Sequence, residues 1–521
     1  MMSWSPLSCG SPLCKKSFTK ASLNDFKKPS DDFAAVFFLD FALFRGNIGV
    51  MEYKTTIGLE IHAELRTQTK MFCNSKNDPE EKRPNVNICP VCMGYPGTLP
   101  VINKEAVKHV LKVGKALGAQ LADFTEFDRK NYFYPDIPKG YQISQYKYPL
   151  VSGGELAGVK ITRVHLEEDT ARSSHEKGDY SLVDFNRAGV PLMELVTEPV
   201  IGSAEQAVTF ARELQLLLRY LGVSYANMEK GEMRVEANIS VSKTDVFGTK
   251  CEVKNLNSFR TVEKAIAYEV ARHIELLENG EKVVQETRGW NEAKQETYSQ
   301  RSKENAHDYR YFPEPDLPKL KLSELPEFLN PELPELPEQK RARFDKEYGV
   351  KEEDREMYIF DTKPGLGDFF EAVAKKLSGD KETIQLASNY ITSDVVGFME
   401  VMPSLSDNHE ILADTFVKMI LMIKEGKLSS RGAKDVLVIL FEKGGDPQKI
   451  AEEKGLIQKN DEGELIAMVQ KIIAENEKAT NEYRAGKEAS IMFLVGQGMK
   501  ASKGSANPQM LKKLFETELK K

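Results

Sequence analysis

The chain has 521 residues, of which 41% are hydrophobic and 29% are charged. This composition is typical of folded globular proteins and excludes the fibrous, disordered and membrane-spanning classes. Its 72 basic and 79 acidic side chains give a formal net charge of −7, so a polyanion can bind only at a local basic patch. At roughly 150 residues per domain, the length predicts about three to four domains.

Residues 1–50 differ from the rest because they show neither helical nor strand periodicity. Their apolar run, 33–44, is interrupted by Asp40 and is shorter than the roughly 20 residues that span a bilayer. Acidic residues and the lack of a small-residue cleavage site disfavour a signal peptide. We therefore expect 1–50 to be a non-native or disordered extension, with Met51 as the natural start. The 6 unevenly placed cysteines indicate a reducing compartment, hence a cytoplasmic protein.

The next part of the chain, 51–345, mixes strands and helices. Alternating apolar and polar residues predict strands, and apolar residues at helical spacing predict amphipathic helices. The strands are predicted at Tyr53–His62, Val159–Leu166, Met233–Val241 and Lys250–Val253, and the helices at Asn103–Leu117, Ala204–Leu221 and Val262–Glu278. The Tyr-, Pro- and Gly-rich segment Asp128–Pro149 is interpreted as a long loop.

Prolines punctuate residues Pro313–Pro337, which we interpret as a linker or a wrapped arm. Beyond it the periodicity is helical throughout, with glycine breaks that divide 346–427 from 428–521. The predicted fold class is therefore α+β, a mixed α/β body at 51–345 followed by two all-helical domains.

Two short segments place acids beside histidines on predicted strands. Glu60 and His62 lie two residues apart and therefore on one strand face, which suits a divalent metal or acid–base chemistry, although a surface pair is the simpler alternative. In the second segment, strand parity puts His165, Glu167 and Asp169 on one face and Glu168 on the other. Parity alone does not decide which acid points into a site.

A third segment, Leu182–Pro199, embeds Arg187 and Glu194 among apolar residues. Buried carboxylates need partners or a metal, and scattered carboxylates suit Mg²⁺ at an ATP-linked site. The sequence has neither a P-loop nor a dinucleotide-binding glycine motif, so ATP would have to bind in another way.

Cysteines form one local cluster, in which Cys73 precedes a Cys89-x-x-Cys92 pair. This spacing is typical of zinc sites, but only three thiols are close in sequence, and Ser75 stands where a fourth ligand would be convenient. A structural zinc ion and three unligated cysteines both remain open. Near the C-terminus, Lys500 and Lys503 flank small residues, which fits either a phosphate site or a solvated helix end.

Several long blocks of the chain closely resemble the GatB family, whose members are one subunit of the aspartyl/glutamyl-tRNA(Asn/Gln) amidotransferases. The resemblance runs in order over about 51–521. It rests on Ile57–His62, Phe127–Asp136, Tyr141–Gln145, Leu182–Pro199, Lys254–Phe259, Asp308–Asp316 and Phe493–Gly504.

The resemblance implies a ligase that forms carbon–nitrogen bonds with glutamine as amide donor. In this family the GatB subunit uses ATP to activate the side-chain carboxylate of misacylated Glu-tRNA(Gln) or Asp-tRNA(Asn) as an acyl phosphate. Ammonia then arrives from the partner amidase, and a small third subunit holds the other two together in a heterotrimer. The region 51–345 would be the catalytic cradle, 346–427 a helical domain and 428–521 a helical tail that binds tRNA.

Residue roles follow from the same resemblance. The implied catalytic residues, which would also hold Mg²⁺, are Glu60, His62, Glu168 and Glu194. The implied cofactor-binding residues are Lys130, Tyr134, Arg187 and Glu236, and the implied tRNA contacts are Lys500, Lys503 and Arg310. Members with the cysteine motif often have a further cysteine where this chain has Ser75, which puts a four-thiolate zinc site with Cys73, Cys89 and Cys92 in doubt. A non-catalytic tRNA-binding scaffold is the alternative function.

Overall fold

The computed structural model describes residues 53–174, 178–302, 309–360, 365–401, 409–458, 462–502 and 506–520. The predicted extension 1–50 and the predicted tRNA contact Lys503 lie outside the described residues. Within the described ranges, no helix is both long and apolar enough to cross a membrane.

The strands lie in the first three hundred residues and in the arm that follows. In chain order they are β1 Lys54–Glu64, β2 Gln120–Leu121, β3 Phe124–Thr125, β4 Asp128–Asn131, β5 Tyr141–Ser144, β6 Val151–Ser152, β7 Glu155–Leu156, β8 Val159–Glu168, β9 Arg172–Ser174, β10 Leu182–Asp184, β11 Pro191–Thr197, β12 Met233–Ser242, β13 Cys251–Leu256, β14 Glu286–Asn291, β15 Glu296–Ser302, β16 Phe312–Pro313 and β17 Leu320–Lys321. The predicted loop Asp128–Pro149 therefore contains the paired strands β4 and β5.

One large sheet has the order β15-β14-β13-β12-β1-β11-β8-β6-β2, with β7 paired to β8. Of its described pairings, only that of β13 with β14 is parallel. One face of the sheet is apolar, with Ile61, Leu195 and Val235 fully buried in the first hydrophobic core. Residues of the opposite parity on these strands include Glu60, His62, Glu194 and Glu236, and the pleat therefore separates a core face from a polar face.

Helices are α1 Lys104–Ala116, α2 Ala204–Tyr220, α3 Phe259–Glu278, α4 Pro337–Tyr348, α5 Glu352–Ile359, α6 Leu366–Lys376, α7 Lys381–Tyr390, α8 Val396–Val401, α9 His409–Lys424, α10 Ser430–Lys443, α11 Pro447–Glu453, α12 Glu462–Glu475, α13 Glu477–Arg484, α14 Ser490–Ala501 and α15 Pro508–Leu519. The first three contribute buried residues to the core under the sheet. Each begins after an Asn or Ser whose side chain accepts backbone N–H groups of the first turn. The predicted α+β class is confirmed.

The proline-rich stretch is a wrapped arm rather than a free linker. Its strand β17 pairs with β3, and the backbone N–H of Leu322 donates to the carbonyl of Asp123. Leu317, Leu322 and Phe328 are buried in the first core. The arm therefore completes the α/β body before the helices begin.

Beyond the arm, buried residues form two further cores. One runs from Phe344 to Ala451, and the other from Leu465 to Leu519. In the former, the ring of Tyr358 stacks on Phe370 at 4.2 Å. This core includes residues on both sides of position 427, and the boundaries at 345 and 427 stay predictions.

Helix α4 joins the α/β body to the helical part. The guanidinium of Arg341 on α4 binds Glu213 of α2 at 2.8 Å and Glu356 of α5 at 3.0 Å. The hydroxyl of Tyr220 donates to the carbonyl of Ile359 at 2.9 Å. These half-buried polar contacts fix the start of the helical part against α2.

Gly367 tests the packing of the helical part. A methyl group at this position would lie 2.5 Å from the carbonyl oxygen of Tyr358, so α6 would have to move. We expect Gly367→Ala to lower the free energy of unfolding by about 1–3 kcal/mol. In the control Gly496→Ala, on the exposed side of α14, the methyl group meets no described atom within 4 Å. It should raise stability by about 0.5–1 kcal/mol. Thermal unfolding of the full chain measures both, and equal effects would contradict this packing.

A candidate active site on the polar face of the sheet

Strand register brings the charged residues of the polar face together. His62 on β1 lies opposite Glu194 on β11, and Glu194 lies opposite His165 on β8. On the other side of β1, Glu60 lies opposite Glu236 of β12. Directly opposed residues of antiparallel strands point to the same face. Four central strands therefore supply one cluster of acids and imidazoles.

Glu194 is the centre of this cluster. Its Oε2 lies 3.4 Å from Nε2 of His62 and 3.4 Å from Nε2 of His165. Its Oε1 lies 3.6 Å from Nη2 of Arg163. Burial by itself would raise the pKa of this carboxyl group, but the charges and hydrogen bonds of His165 and His62 outweigh it and hold the pKa well below its ordinary value. Glu194 is therefore a buried anion.

The pKa values of Glu60 and His62 are shifted by the charges that surround them. Burial, together with the negative charges of Glu194 and Glu236, raises the pKa of Glu60 to about 7. Burial lowers the pKa of His62, yet the hydrogen bond and charge of Glu194 raise it to about 9. The cluster thus holds more negative charge than it can keep without protons or a cation.

Cations surround the cluster. Nζ of Lys254 binds Glu236 at 2.6 Å. Lys130, on β4, is half-buried. Its partial burial lowers its pKa, but nearby negative charges, mainly that of Glu167, raise the pKa above the ordinary value. Arg163 adds a third positive charge. Such fixed ammonium and guanidinium groups are suited to bind phosphate oxygens.

The oxygen-rich side of the cluster fits a divalent cation. Oxygens of Glu60, Glu236 and Glu252 lie within 4.8 Å of one another, as do ligand atoms of Glu60, His62 and Glu194. Oδ1 of Asn238, in the same strand as Glu236, is buried and receives no hydrogen bond from the described residues. Carboxylate and amide oxygens are the ligands that Mg²⁺ prefers, and this amide oxygen has no hydrogen-bond donor among the described residues.

The structure does not bring the predicted residue Glu168 into this cluster. Glu168 has the parity of the core residue Leu166, and its carboxylate binds Nζ of Lys139 and accepts the backbone N–H of Ile143 at 2.8 Å. Its neighbour Glu167 takes the place instead, with Oε1 4.0 Å from Nε2 of His62.

Other predicted residues lie apart from the cluster or at its edge. Arg187 donates to the carbonyls of Thr170 and Ala171 and holds the β8–β11 connection. Tyr134 is an exposed ring in the β4–β5 hairpin, and Arg310 is exposed, with a left-handed φ of 44°. Lys500 is exposed near the end of α14. The structure therefore groups Glu60, His62, Glu194, Glu236 and Lys130.

Sequence reasoning missed Glu167, His165 and Lys254 as members of the cluster. For the first two a signal was present: Val164 and Leu166 mark the core face of β8, which leaves His165 and Glu167 for the polar face. Nothing in the sequence alone pairs Lys254 with Glu236, because the contact depends on the pairing of β12 with β13.

The cysteine cluster is a separate site. The sulfur atoms of Cys73, Cys89 and Cys92 lie within 4.8 Å of one another. The hydrogen bond from Cys73 lowers the pKa of Cys92 to about 4, against burial and with help from the charge of Lys70. Nζ of Lys70 lies 3.8 Å from the Cys92 sulfur, and Oγ of Ser75 lies 3.9 Å from it.

Comparison with known families places this architecture. Residues 55–326 match the family model described as the GatB/GatE catalytic domain, and residues 368–519 match the model described as the GatB domain. The α/β body that carries the carboxylate and imidazole cluster is therefore a catalytic domain of the GatB/GatE class.

Relatives similar over most of the chain define the family. The GatB subunit of the aspartyl/glutamyl-tRNA(Asn/Gln) amidotransferase of Thermoanaerobacter pseudethanolicus is 45% identical and covers 90% of this chain and 100% of its own length. The corresponding subunit of Carboxydothermus hydrogenoformans is 42% identical over 90% of this chain and 99% of its own length. That of Crocosphaera subtropica is also 42% identical, over 89% of this chain and 97% of its own length. The chain belongs to the GatB family. This confirms the family and the ligase class predicted from the sequence.

Two adjacent glutamates test the composition of the cluster. We expect Glu167→Gln to weaken Mn²⁺ binding by about tenfold or more, because it removes a charge from the cluster. Glu168→Gln should leave Mn²⁺ affinity within about twofold of wild type, since this side chain faces Lys139. Titration followed by electron paramagnetic resonance measures both affinities. The reverse order of effects would show that Glu168 belongs to the metal site.

Proposed function

We propose that this chain activates the side-chain carboxylate of Glu on tRNA(Gln), or of Asp on tRNA(Asn), with ATP and then forms the amide. Membership of the GatB family supports this proposal. The single observation that carries it is the convergence of Glu60, His62 and Glu194 on the polar face, with Lys130 and Lys254 beside them. A pure scaffold has no need to bury such a costly set of charges.

The reaction needs two transfers. A side-chain carboxylate oxygen first takes the γ-phosphoryl group of ATP, which gives an acyl phosphate and ADP. Ammonia then attacks the carbonyl carbon, phosphate leaves, and the nitrogen loses a proton. The residues of the site stabilise and position the charged groups in both steps.

Each part of the cluster has a role in this proposal. Lys130, Lys254 and Arg163 bind and orient phosphate oxygens, and His62 and Glu194 hold the reacting groups on the polar face. Glu60, Glu194 and Glu236, with the Asn238 oxygen, would hold Mg²⁺, which would supply positive charge to offset the phosphates. Because the site is built on strands, its side chains are positioned by register rather than by a mobile loop.

The proposal includes partners and a compartment. Ammonia would come from the partner amidase, with a small third subunit that holds both in a heterotrimer, since no nucleophile motif of an amidase is present in the sequence. The helical tail would bind the misacylated tRNA, with Lys500 and Arg310 among the exposed cations that contact it. The free thiols of Cys73, Cys89, Cys92 and Cys251 fit a cytoplasmic protein.

The activating step can be measured apart from the release of ammonia by the amidase if ammonium is supplied to the complex assembled with its partner subunits. We expect misacylated tRNA to stimulate ADP release from wild type and Glu60→Ala to reduce that release at least about a hundredfold. The control Glu155→Ala removes an exposed glutamate of β7, away from the cluster, and should retain wild-type rates. A silent Glu60→Ala would favour the scaffold function.

We also propose that Cys73, Cys89 and Cys92 hold a structural zinc ion. The proximity of the three sulfurs and the low pKa of Cys92 support it. The fourth position faces the hydroxyl of Ser75, which is a weaker ligand than thiolate, and the fully buried Lys70 adds a positive charge that opposes the ion. Zinc should therefore be bound more weakly than by four thiolates.

The Ser75→Cys variant tests this account. A fourth thiolate should raise zinc affinity by about tenfold or more in a chelator competition, and Cys89→Ser should abolish binding. The control Cys251→Ser removes a buried thiol elsewhere in the α/β body and should leave zinc content unchanged. A wild-type chain that takes up no zinc while Ser75→Cys also takes up none would contradict the site.

A further inference from the structure

The cysteine cluster brings sulfurs from two separate segments together. The sulfur atoms of Cys73, Cys89 and Cys92 lie within 4.8 Å of one another, and all three thiols are free. The side chains of Cys73 and Cys92 interact directly with each other. These two residues are therefore neighbours in space, although a long stretch of sequence separates them.

Hydrogen bonds hold both segments of the cluster. The sulfur of Cys92 accepts the backbone N–H of Cys89 at 3.2 Å. In the other segment, the backbone N–H of Lys70 donates to the carbonyl of Ser75 at 2.9 Å, which closes a turn around Cys73. A disulfide has a sulfur–sulfur distance of about 2.0 Å, so rotation of two side chains has to supply only the remaining approach.

A cavity of about 90 Å³ lies beside these sulfurs. Cys73 and Cys92 line it together with Tyr95, Lys139 and Gly189. Cys73 is half-buried, whereas Cys92 is only 6% exposed. Since one water molecule occupies roughly 30 Å³ of the liquid, the cavity has room for a molecule as small as hydrogen peroxide. A small hydroperoxide can therefore reach the otherwise buried sulfur of Cys92.

The surroundings of Cys92 suit a disulfide better than a tightly held metal. Oγ of Ser75 lies 3.9 Å from its sulfur, and Nζ of the fully buried Lys70 lies 3.8 Å from it. A hydroxyl is a weaker zinc ligand than a thiolate, and a fixed ammonium repels a cation. A disulfide carries no charge and needs no fourth ligand, so neither group opposes it.

We propose that Cys73 and Cys92 form a reversible disulfide when a hydroperoxide reaches the metal-free cluster. The thiol of Cys92 takes one oxygen from the hydroperoxide, which leaves as an alcohol, or as water from hydrogen peroxide, and a sulfenic acid results. The sulfur of Cys73 then bonds to that of Cys92, the sulfur–oxygen bond breaks, and the hydroxyl leaves with the Cys73 proton as water. Two thiols are oxidised and one hydroperoxide is reduced. A dithiol reductant restores both thiols by exchange.

The disulfide takes over the structural part that zinc has in the loaded cluster. It ties the two ends of the segment 73–92, a loop of 20 residues, to each other. Such a crosslink stabilises the folded chain, because it restricts the unfolded one. The inference is independent of the proposed activation of the carboxylate, and it draws on the proposed zinc site only for the protection that bound metal gives to the thiols.

Peptide mapping of the full chain identifies the bond. Cleavage after Lys and Arg, except before Pro, puts Cys73 in the peptide 71–76 and both Cys89 and Cys92 in the peptide 83–104. After a chelator removes zinc and hydrogen peroxide is added, we expect these two peptides to be linked in most molecules, and dithiothreitol to separate them. Cys92→Ser should lose the link. Cys89→Ser should keep it, as should the control Cys251→Ser, which removes a buried thiol outside the cluster.

The position of the link decides the outcome. Unlinked peptides in the oxidised wild type, or a bond within 83–104 that joins Cys89 to Cys92, would overturn the proposal. Loading the wild type with zinc before oxidation should slow formation of the link about tenfold, because metal-bound thiols are less available to the peroxide. If zinc is not bound and gives no protection, the zinc site fails, and the link in the metal-free chain still reports on the disulfide.

Discussion

A buried anion between two imidazoles is the constraint on which the catalytic body depends. Glu194 lies on β11, next to the central strand β1, and its position is fixed from both sides by His62 and His165. Removing a carboxylate from water is costly, so every neighbouring strand contributes a compensating group. The other face of the same strands is mostly apolar where it packs on α1, α2 and α3, and Ile61, Leu195 and Val235 are fully buried there.

The same constraint explains where the cations lie. Arg163 and Lys254 lie on β8 and β13, on opposite sides of β1, whereas Lys130 comes from β4 in a smaller sheet. Lys254 contacts both Glu236 and Glu252, and Lys130 interacts with the charges of Glu167 and Glu194. Their positive charges act on a cluster that contains more carboxylates than cations. Such a site changes little in shape when it exchanges one cation for another, which suits a reaction that brings phosphates in and releases them.

Much of the fold was readable from the sequence because it is periodic. The alternation in β1 and β8 and the apolar spacing of α1 and α2 gave their limits to within a few residues. The hairpin of β4 and β5 was missed, because its Tyr-, Pro- and Gly-rich composition masks the short pairing from Asp128 to Ser144. Within the site, the pair Glu60 and His62 was found locally. The family resemblance implied Glu168, whereas Glu167 lies in the cluster, because parity separates the two residues without saying which face carries the site. Lys254 belongs to the cluster through the pairing of β12 with β13, which the local sequence does not encode.

The proximity of the cysteines illustrates the same limit. The pair Cys89 and Cys92 is local, and its convergence follows from spacing alone. Lys70, by contrast, carries no sequence pattern that marks a buried cation, yet it is fully buried beside Cys92. Sequence therefore reveals clusters that one segment supplies, while the groups that balance their charge come from elsewhere in the fold.

The position of β1 has a consequence for how the chain is made. This first strand lies at the centre of the sheet, and its partners are Pro191–Thr197 and Met233–Ser242, while the arm that covers the core ends near Phe328. During translation, the catalytic body cannot complete its fold until that arm has left the ribosome. Until its partner strands have been synthesised, the backbone N–H and C=O groups along both edges of β1 stay unpaired. The helices that follow pack largely on their neighbours in sequence, so they can form as they emerge. Chaperones that bind exposed strands would be needed by the first half of the nascent chain far more than by the second.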